Sequence, residues 1–135
     1  MTTRQSIVLD SWPMMAYLQG EQSVDRIIEI IADAHDRGDS LLMSVVNAGE
    51  VWYSIARRSD TATADRAVGM IRSLGIEFID VDWPTTQIAA EYKSKGGISY
   101  ADCFAAAVAK QNNATLITGD REFEQLENEI SIFWL

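Results

Sequence analysis

Short aliphatic runs alternating with stretches of helical periodicity constrain this chain more than any other feature. Ser6-Ile7-Val8-Leu9 is rich in β-branched residues and predicts a buried strand ending at Asp10. Leu41 to Val46, Ile76 to Val81, Thr115 to Thr118 and the apolar ending Ile130 to Leu135 predict four more. Between the first two lie a short helix over Trp12 to Leu18, with Pro13 tolerated in its first turn, and a longer one. In the longer helix Val24, Ile27, Ile28, Ile31 and Ala34 recur at helical spacing, with Ser23 as N-cap and Gly38 as the stop. Further helices are expected at Glu50 and Val51 onward, fraying at Arg57-Arg58-Ser59-Asp60, and from Thr63 to Leu74, closed by Gly75. Another runs from Thr85 to Lys95, and an alanine-rich helix opens at Ser99 and ends near Asn112-Asn113. Gly119-Asp120 reads as a turn before a short helix over Glu122 to Leu126. The pattern predicts an α/β fold, a three-layer α/β/α sandwich around a mainly parallel sheet. In such sheets ligands collect beyond the carboxyl ends of the strands, so chemistry is sought there.

A chain of 135 residues, 47% apolar, is expected to form one domain over residues 1–135. No apolar run nears the roughly 18 residues of a membrane span, and no signal-peptide core follows the N-terminus. A single cysteine, Cys103, cannot form an intramolecular disulfide, and a cytoplasmic location is expected. Eleven Lys and Arg against 20 Asp and Glu give a net charge of −9, the opposite of a basic nucleic-acid surface. Solubility, carboxylates gathered around divalent cations, and an acidic surface for a basic partner all fit that excess.

The positions of the acids narrow the choice. Asp10 follows the first strand, Glu50 falls in the first turn of the helix after the second, Asp102 in the first turn of the alanine-rich helix, and Asp120 one glycine beyond the fourth strand. Four segments thus bring one acid each to the same sheet edge. Each has an ordinary explanation: Ser99 with Asp102 three residues on fits a capping box, while Asp10 and Asp120 fit N-caps. Clustered, however, they repel and need a cation to be stable. Oxygen ligands without a partnering Cys or His suit Mg²⁺ or Mn²⁺ rather than zinc. His35, the only histidine, reads as a surface or packing residue, and Cys103 as a small buried one without the histidine a nucleophile needs. No Gly-rich phosphate loop is present, so the chemistry expected is metal-assisted hydrolysis.

The runs Ile7-Val8-Leu9-Asp10-Ser11, Ala48-Gly49-Glu50-Val51, Ile98-Ser99-Tyr100-Ala101-Asp102-Cys103-Phe104 and Leu116-Ile117-Thr118-Gly119-Asp120-Arg121-Glu122-Phe123, in this order, resemble a bacterial PIN domain. More narrowly they are similar to VapC toxins of type II toxin–antitoxin systems, over essentially the whole chain. The resemblance matches the family's four acids to Asp10, Glu50, Asp102 and Asp120. It implies a Mg²⁺- or Mn²⁺-dependent endoribonuclease acting on RNA such as transfer RNA. It also implies a homodimer neutralised by a VapB-like antitoxin. Two departures stand out: Cys103 replaces a small residue, and Trp12-Pro13 follows Asp10-Ser11 where smaller residues are common. Ser11 and Thr118 are expected to orient the acids through their hydroxyls. Arg4, Arg57, Arg58, Lys93, Lys95 and Arg121 are weak candidates for RNA contacts, and Trp52-Tyr53 reads as packing rather than base stacking. A non-catalytic module binding RNA or protein is the alternative. A phospho-acceptor receiver fits poorly, because Asp10 has no neighbouring acid and Asp120 no nearby lysine.

Overall fold

The computed structural model describes residues 5–20 and 22–135. Strands β1 (Ser6–Leu9), β2 (Ser40–Ser44), β3 (Ile76–Ile79), β4 (Thr115–Thr118) and β5 (Ser131–Trp134) form one sheet in the order β3-β2-β1-β4-β5, every neighbouring pair parallel. Helices α1 (Ser11–Gln19), α2 (Val24–Arg37), α3 (Val45–Arg58), α4 (Thr61–Ser73), α5 (Trp83–Lys95) and α6 (Tyr100–Gln111) cover it, with a 3₁₀ segment over Arg121–Leu126. The expected three-layer α/β/α arrangement is therefore present, and its sheet is wholly rather than mainly parallel.

Alternation along each strand builds the two halves of the core. Ile7, Leu9, Leu41, Met43 and Ile117 face α1 to α4, while Val8, Leu42 and Leu116 face α5, α6 and the 3₁₀ segment. Helix α6 is buried without a break from Asp102 to Ala109, as expected of a helix apolar on all sides. Its alanines let it lie close to both the sheet and α5.

Capping chemistry moves several boundaries from where periodicity puts them. Strand β2 stops at Ser44, not Val46, because the Ser44 hydroxyl accepts the amides of Val46 (3.0 Å) and Asn47 (3.4 Å) and starts α3 there. Glu50 consequently sits in the second turn of α3, not its first. Asp60 starts α4 by accepting the Thr63 amide (2.7 Å), and Asp82 starts α5 by accepting that of Thr85 (3.0 Å), two residues earlier than expected in each case. Ser23 does precede α2, but its backbone is already helical and its hydroxyl makes no cap bond.

His35 takes a packing role at the surface. Its Nε2 donates to the Leu74 carbonyl (2.7 Å), and its ring lies over Gly75, which has a φ of +81°. A Cβ there would stand 2.4 Å from the imidazole. Gly75→Ala is expected to destabilise the fold by about 1–2 kcal/mol or more, through left-handed strain plus displacement of His35. Urea unfolding should show a lower midpoint with an unchanged slope, and an unmoved midpoint would contradict the packing described.

Candidate metal centre

Strand β1 hydrogen-bonds β2 on one side and β4 on the other, so the strand order reverses at its carboxyl end. That crevice is the ligand position of open parallel sheets, and Asp10 stands at it. Asp10 occupies the N-cap position of α1 with extended backbone, yet its side chain makes no cap bond. Completely buried, it accepts a hydrogen bond from Thr118 Oγ1 on Oδ2 (3.0 Å), while Oδ1 has no partner.

Thr118 ends β4 and ties two acids together. Its hydroxyl donates to Asp10 and accepts the backbone N–H of Asp120 (3.0 Å). Asp120 Oδ1 accepts the Glu122 amide (3.0 Å), so this acid is also the cap of the 3₁₀ segment. Between them, Gly119 lies under the Trp12 indole, where a Cβ would be 2.6 Å from the ring. The Trp12 departure from the family pattern is thus accommodated by the glycine of the fourth motif.

Asp102 arrives from the opposite side, on the first turn of α6. Ser99 Oγ accepts the Asp102 amide (3.2 Å), which is one half of the expected capping box. The other half is absent: the Ser99 N–H goes to Glu122 Oε2 (3.1 Å), not to Asp102. Asp102 Oδ2 is buried and unpartnered. One carboxylate oxygen from each of Asp10, Asp102 and Asp120 falls within a span of 4.8 Å.

These groups would repel as anions, and the environment responds accordingly. Burial raises the Asp10 carboxyl well above its usual range against the Thr118 hydrogen bond, with the charges of Asp120 and Glu50 adding to the rise. Burial and the neighbouring carboxyls of Asp120, Asp10 and Glu122 push Asp102 up to about 9. Buried unpartnered oxygens in an all-carboxylate set fit a divalent cation such as Mg²⁺ or Mn²⁺. Cys103 does not compete for this role, since burial raises its thiol to about 11 and keeps it protonated.

Glu50 is not one of the three converging acids. It stands half-buried beside them and accepts a short hydrogen bond from the Ser11 hydroxyl. Its charge is felt at Asp10. Two residues at the site were not anticipated. Asn47, fully buried, donates Nδ2 to the Ala101 carbonyl (3.1 Å) and ties α3 to the start of α6. A polar residue among Val45, Val46 and Ala48, one turn before Glu50, was the available signal. Glu122, an acid two residues after Asp120, is the other.

Among the basic candidates, Lys93 Nζ is bonded to the Ile98 carbonyl (2.9 Å), Arg57 stacks on Tyr53, and Arg121 stacks on Trp134. Arg4 lies outside the described residues. Trp52 donates to Asp65 (2.9 Å) and packs α3 on α4, while Tyr53 is exposed.

The family model for the PIN domain matches residues 7–129. No curated protein sequence matches significantly. Among solved structures, a chain of VapBC2 from Rickettsia felis, solved bound to a promoter DNA fragment, superposes with a TM-score of 0.74 at 18% identity, covering 96% of this chain and 98% of that one. VapBC-1 from nontypeable Haemophilus influenzae gives 0.73 at 17% identity over 96% and 98%. VapC20 of Mycobacterium tuberculosis, described as a toxin that cleaves the sarcin-ricin loop, gives 0.71 at 18% identity over 88% and 93%. At these identities the likeness is one of fold.

The raised carboxyls carry a pH signature. A native state that keeps Asp102 protonated up to about 9 binds more protons than the unfolded chain above the ordinary carboxylate range near 4. Stability of the metal-free protein should therefore be greatest at the acid end of that window and fall as pH rises across it. Thermal melts in EDTA are expected to drop between about pH 5.5 and 8.5, and Mg²⁺ or Mn²⁺ should restore most at the upper end. A metal-free melting temperature that climbs over this interval would contradict the clustering of uncompensated acids.

Proposed function

Because the chain belongs to the PIN-domain family, we propose that it is a metal-dependent endoribonuclease acting as a VapC-like toxin, held in check by a VapB-like antitoxin. The observation that carries this reading is the convergence of Asp10, Asp102 and Asp120 oxygens within 4.8 Å, two of the acids having a buried oxygen without a partner. That arrangement costs the fold free energy unless a cation occupies it, which is how hydrolytic metal sites are built. The VapC20 and VapBC structures that share the fold support the substrate class and the toxin–antitoxin role.

In this reading Asp10, Asp102 and Asp120 hold Mg²⁺ or Mn²⁺. When bound, the ion supplies Lewis acidity toward a phosphate oxygen and toward water. Thr118 orients Asp10 and fixes the loop that carries Asp120. Glu50, which accepts the Ser11 hydroxyl, would bind the ion or orient the attacking water and take its proton. The homodimer implied by the family resemblance is part of this reading. A groove of about 380 Å³, lined by Met15, Leu18, Ile55, Ala67 and Met70 with Gln19, Arg58, Thr63 and Arg66 beside them, suits an amphipathic helix of an antitoxin. The net charge of −9 favours a basic segment of that antitoxin near the acids.

Purified protein incubated with total RNA and Mg²⁺ or Mn²⁺ should cleave it, and chelation should stop the cleavage. Asp10→Asn is expected to lower the rate by about 100-fold or more, since changes one shell further out already cost about 10–100-fold. Its melting temperature in EDTA should be equal to or above the wild-type value, because a buried carboxyl is removed. Full metal-dependent cleavage by Asp10→Asn would overturn the assignment. Metal binding without cleavage of any RNA would favour the non-catalytic alternative.

A further inference from the structure

We propose that Glu122 is a positioning residue of the carboxylate site: by taking the Ser99 N–H it holds the start of α6 against the loop carrying Asp120 and leaves the Asp102 carboxylate to face Asp10 and Asp120. The inference rests on the metal-site reading above. Its basis is the divided capping box. Asp102 occupies the third position of α6, from which an acid ordinarily reaches back to the N-cap amide. Here that amide is 3.1 Å from Glu122 Oε2. Released from the cap, Asp102 keeps a buried oxygen unpartnered and another within the cluster.

Glu122 also connects the two halves of the site along the chain. Its own amide donates to Asp120 Oδ1 (3.0 Å) while its side chain takes Ser99, 23 residues away in sequence. The same 3₁₀ segment makes a second bond to this connection, Gln125 Oε1 accepting the Gly97 amide (3.2 Å). Lys93 closes it from α5 through the Ile98 carbonyl (2.9 Å). The segment from Gly97 to Ser99, which sets where α6 begins, is therefore held from both sides. Glu122 is exposed and outside the converging trio, and its carboxyl also faces that of Asp102 and adds to the crowding there, so holding α6 in place has to be separated from charge.

Two conservative substitutions separate reach from charge. Glu122→Gln keeps an acceptor oxygen at the same distance without the charge. Glu122→Asp keeps the charge but falls short by one carbon–carbon bond, about 1.5 Å. Mn²⁺ affinity by calorimetry and exchange of the Ser99 amide proton by NMR in the metal-free protein are the readouts. Glu122→Gln is expected to stay within about threefold of wild type in both. Glu122→Asp should bind Mn²⁺ about tenfold more weakly and exchange the Ser99 amide about tenfold faster. The reverse order would make charge the operative property and overturn the proposal. So would equal behaviour of both variants, whether intact or impaired, or a loss of fold in either. If wild-type protein bound no Mn²⁺, the metal reading would fail, and Ser99 exchange alone would then uphold or overturn the contact.

Discussion

Carboxylates crowded at one buried point oppose folding, and much of this structure can be understood as the means of holding them there. Asp10 is carried to the spot by the central strand, which is hydrogen-bonded to a neighbour on each side. A single hydroxyl, that of Thr118, satisfies one of its oxygens and at the same time fixes the backbone of Asp120. The third acid depends on where α6 starts, and that is set by Asn47 on one side and the Glu122–Ser99 bond on the other. None of these contacts neutralises the site. They orient it, and the repulsion remains for a cation to relieve.

The strands were legible because β-branched runs alternate against two covered faces, so that Ile7 and Leu9 enter one half of the core and Val8 the other. Parallel pairing followed from the intervening helices. The acids at strand ends were legible for the same topological reason, since a residue that ends a strand in such a sheet must lie on its functional edge. What periodicity could not place were starts of helices governed by single hydrogen bonds. Ser44 ends its strand two residues early by capping α3, and this moves Glu50 a turn deeper into the helix. Asn47 and Glu122 were hidden for a related reason: their partners, Ala101 and Ser99, are distant in sequence, and local pattern carries no information about such contacts.

The ordinary explanations of the acids are also informative, because they prove neither right nor wrong as a group. Asp120 caps the 3₁₀ segment and still offers an oxygen to the cluster. Asp10 holds the cap position of α1 but does not cap. Ser99 and Asp102 form only half of a box. A carboxylate has two oxygens and about four acceptor directions, so structural and ligating roles exclude one another only when every direction is taken. At Asp10 and Asp102 one buried oxygen is left over in each case.

Those leftover oxygens decide how function and stability are balanced here. A buried acceptor without a donor ordinarily costs about 1–3 kcal/mol, and folds rarely carry two side by side without a reason. The surrounding framework is strong enough to bear them: α6 is buried from Asp102 to Ala109, and Trp12 closes over Gly119 with no room for a side chain. Burial and mutual repulsion raise the carboxyls of Asp10 and Asp102, which favours their protonated forms when no ion is present. A cation bound there would compete with those protons. The three acids converge on elements anchored in the core that the alanine-rich helix and the parallel sheet make together, and that anchoring opposes their mutual repulsion.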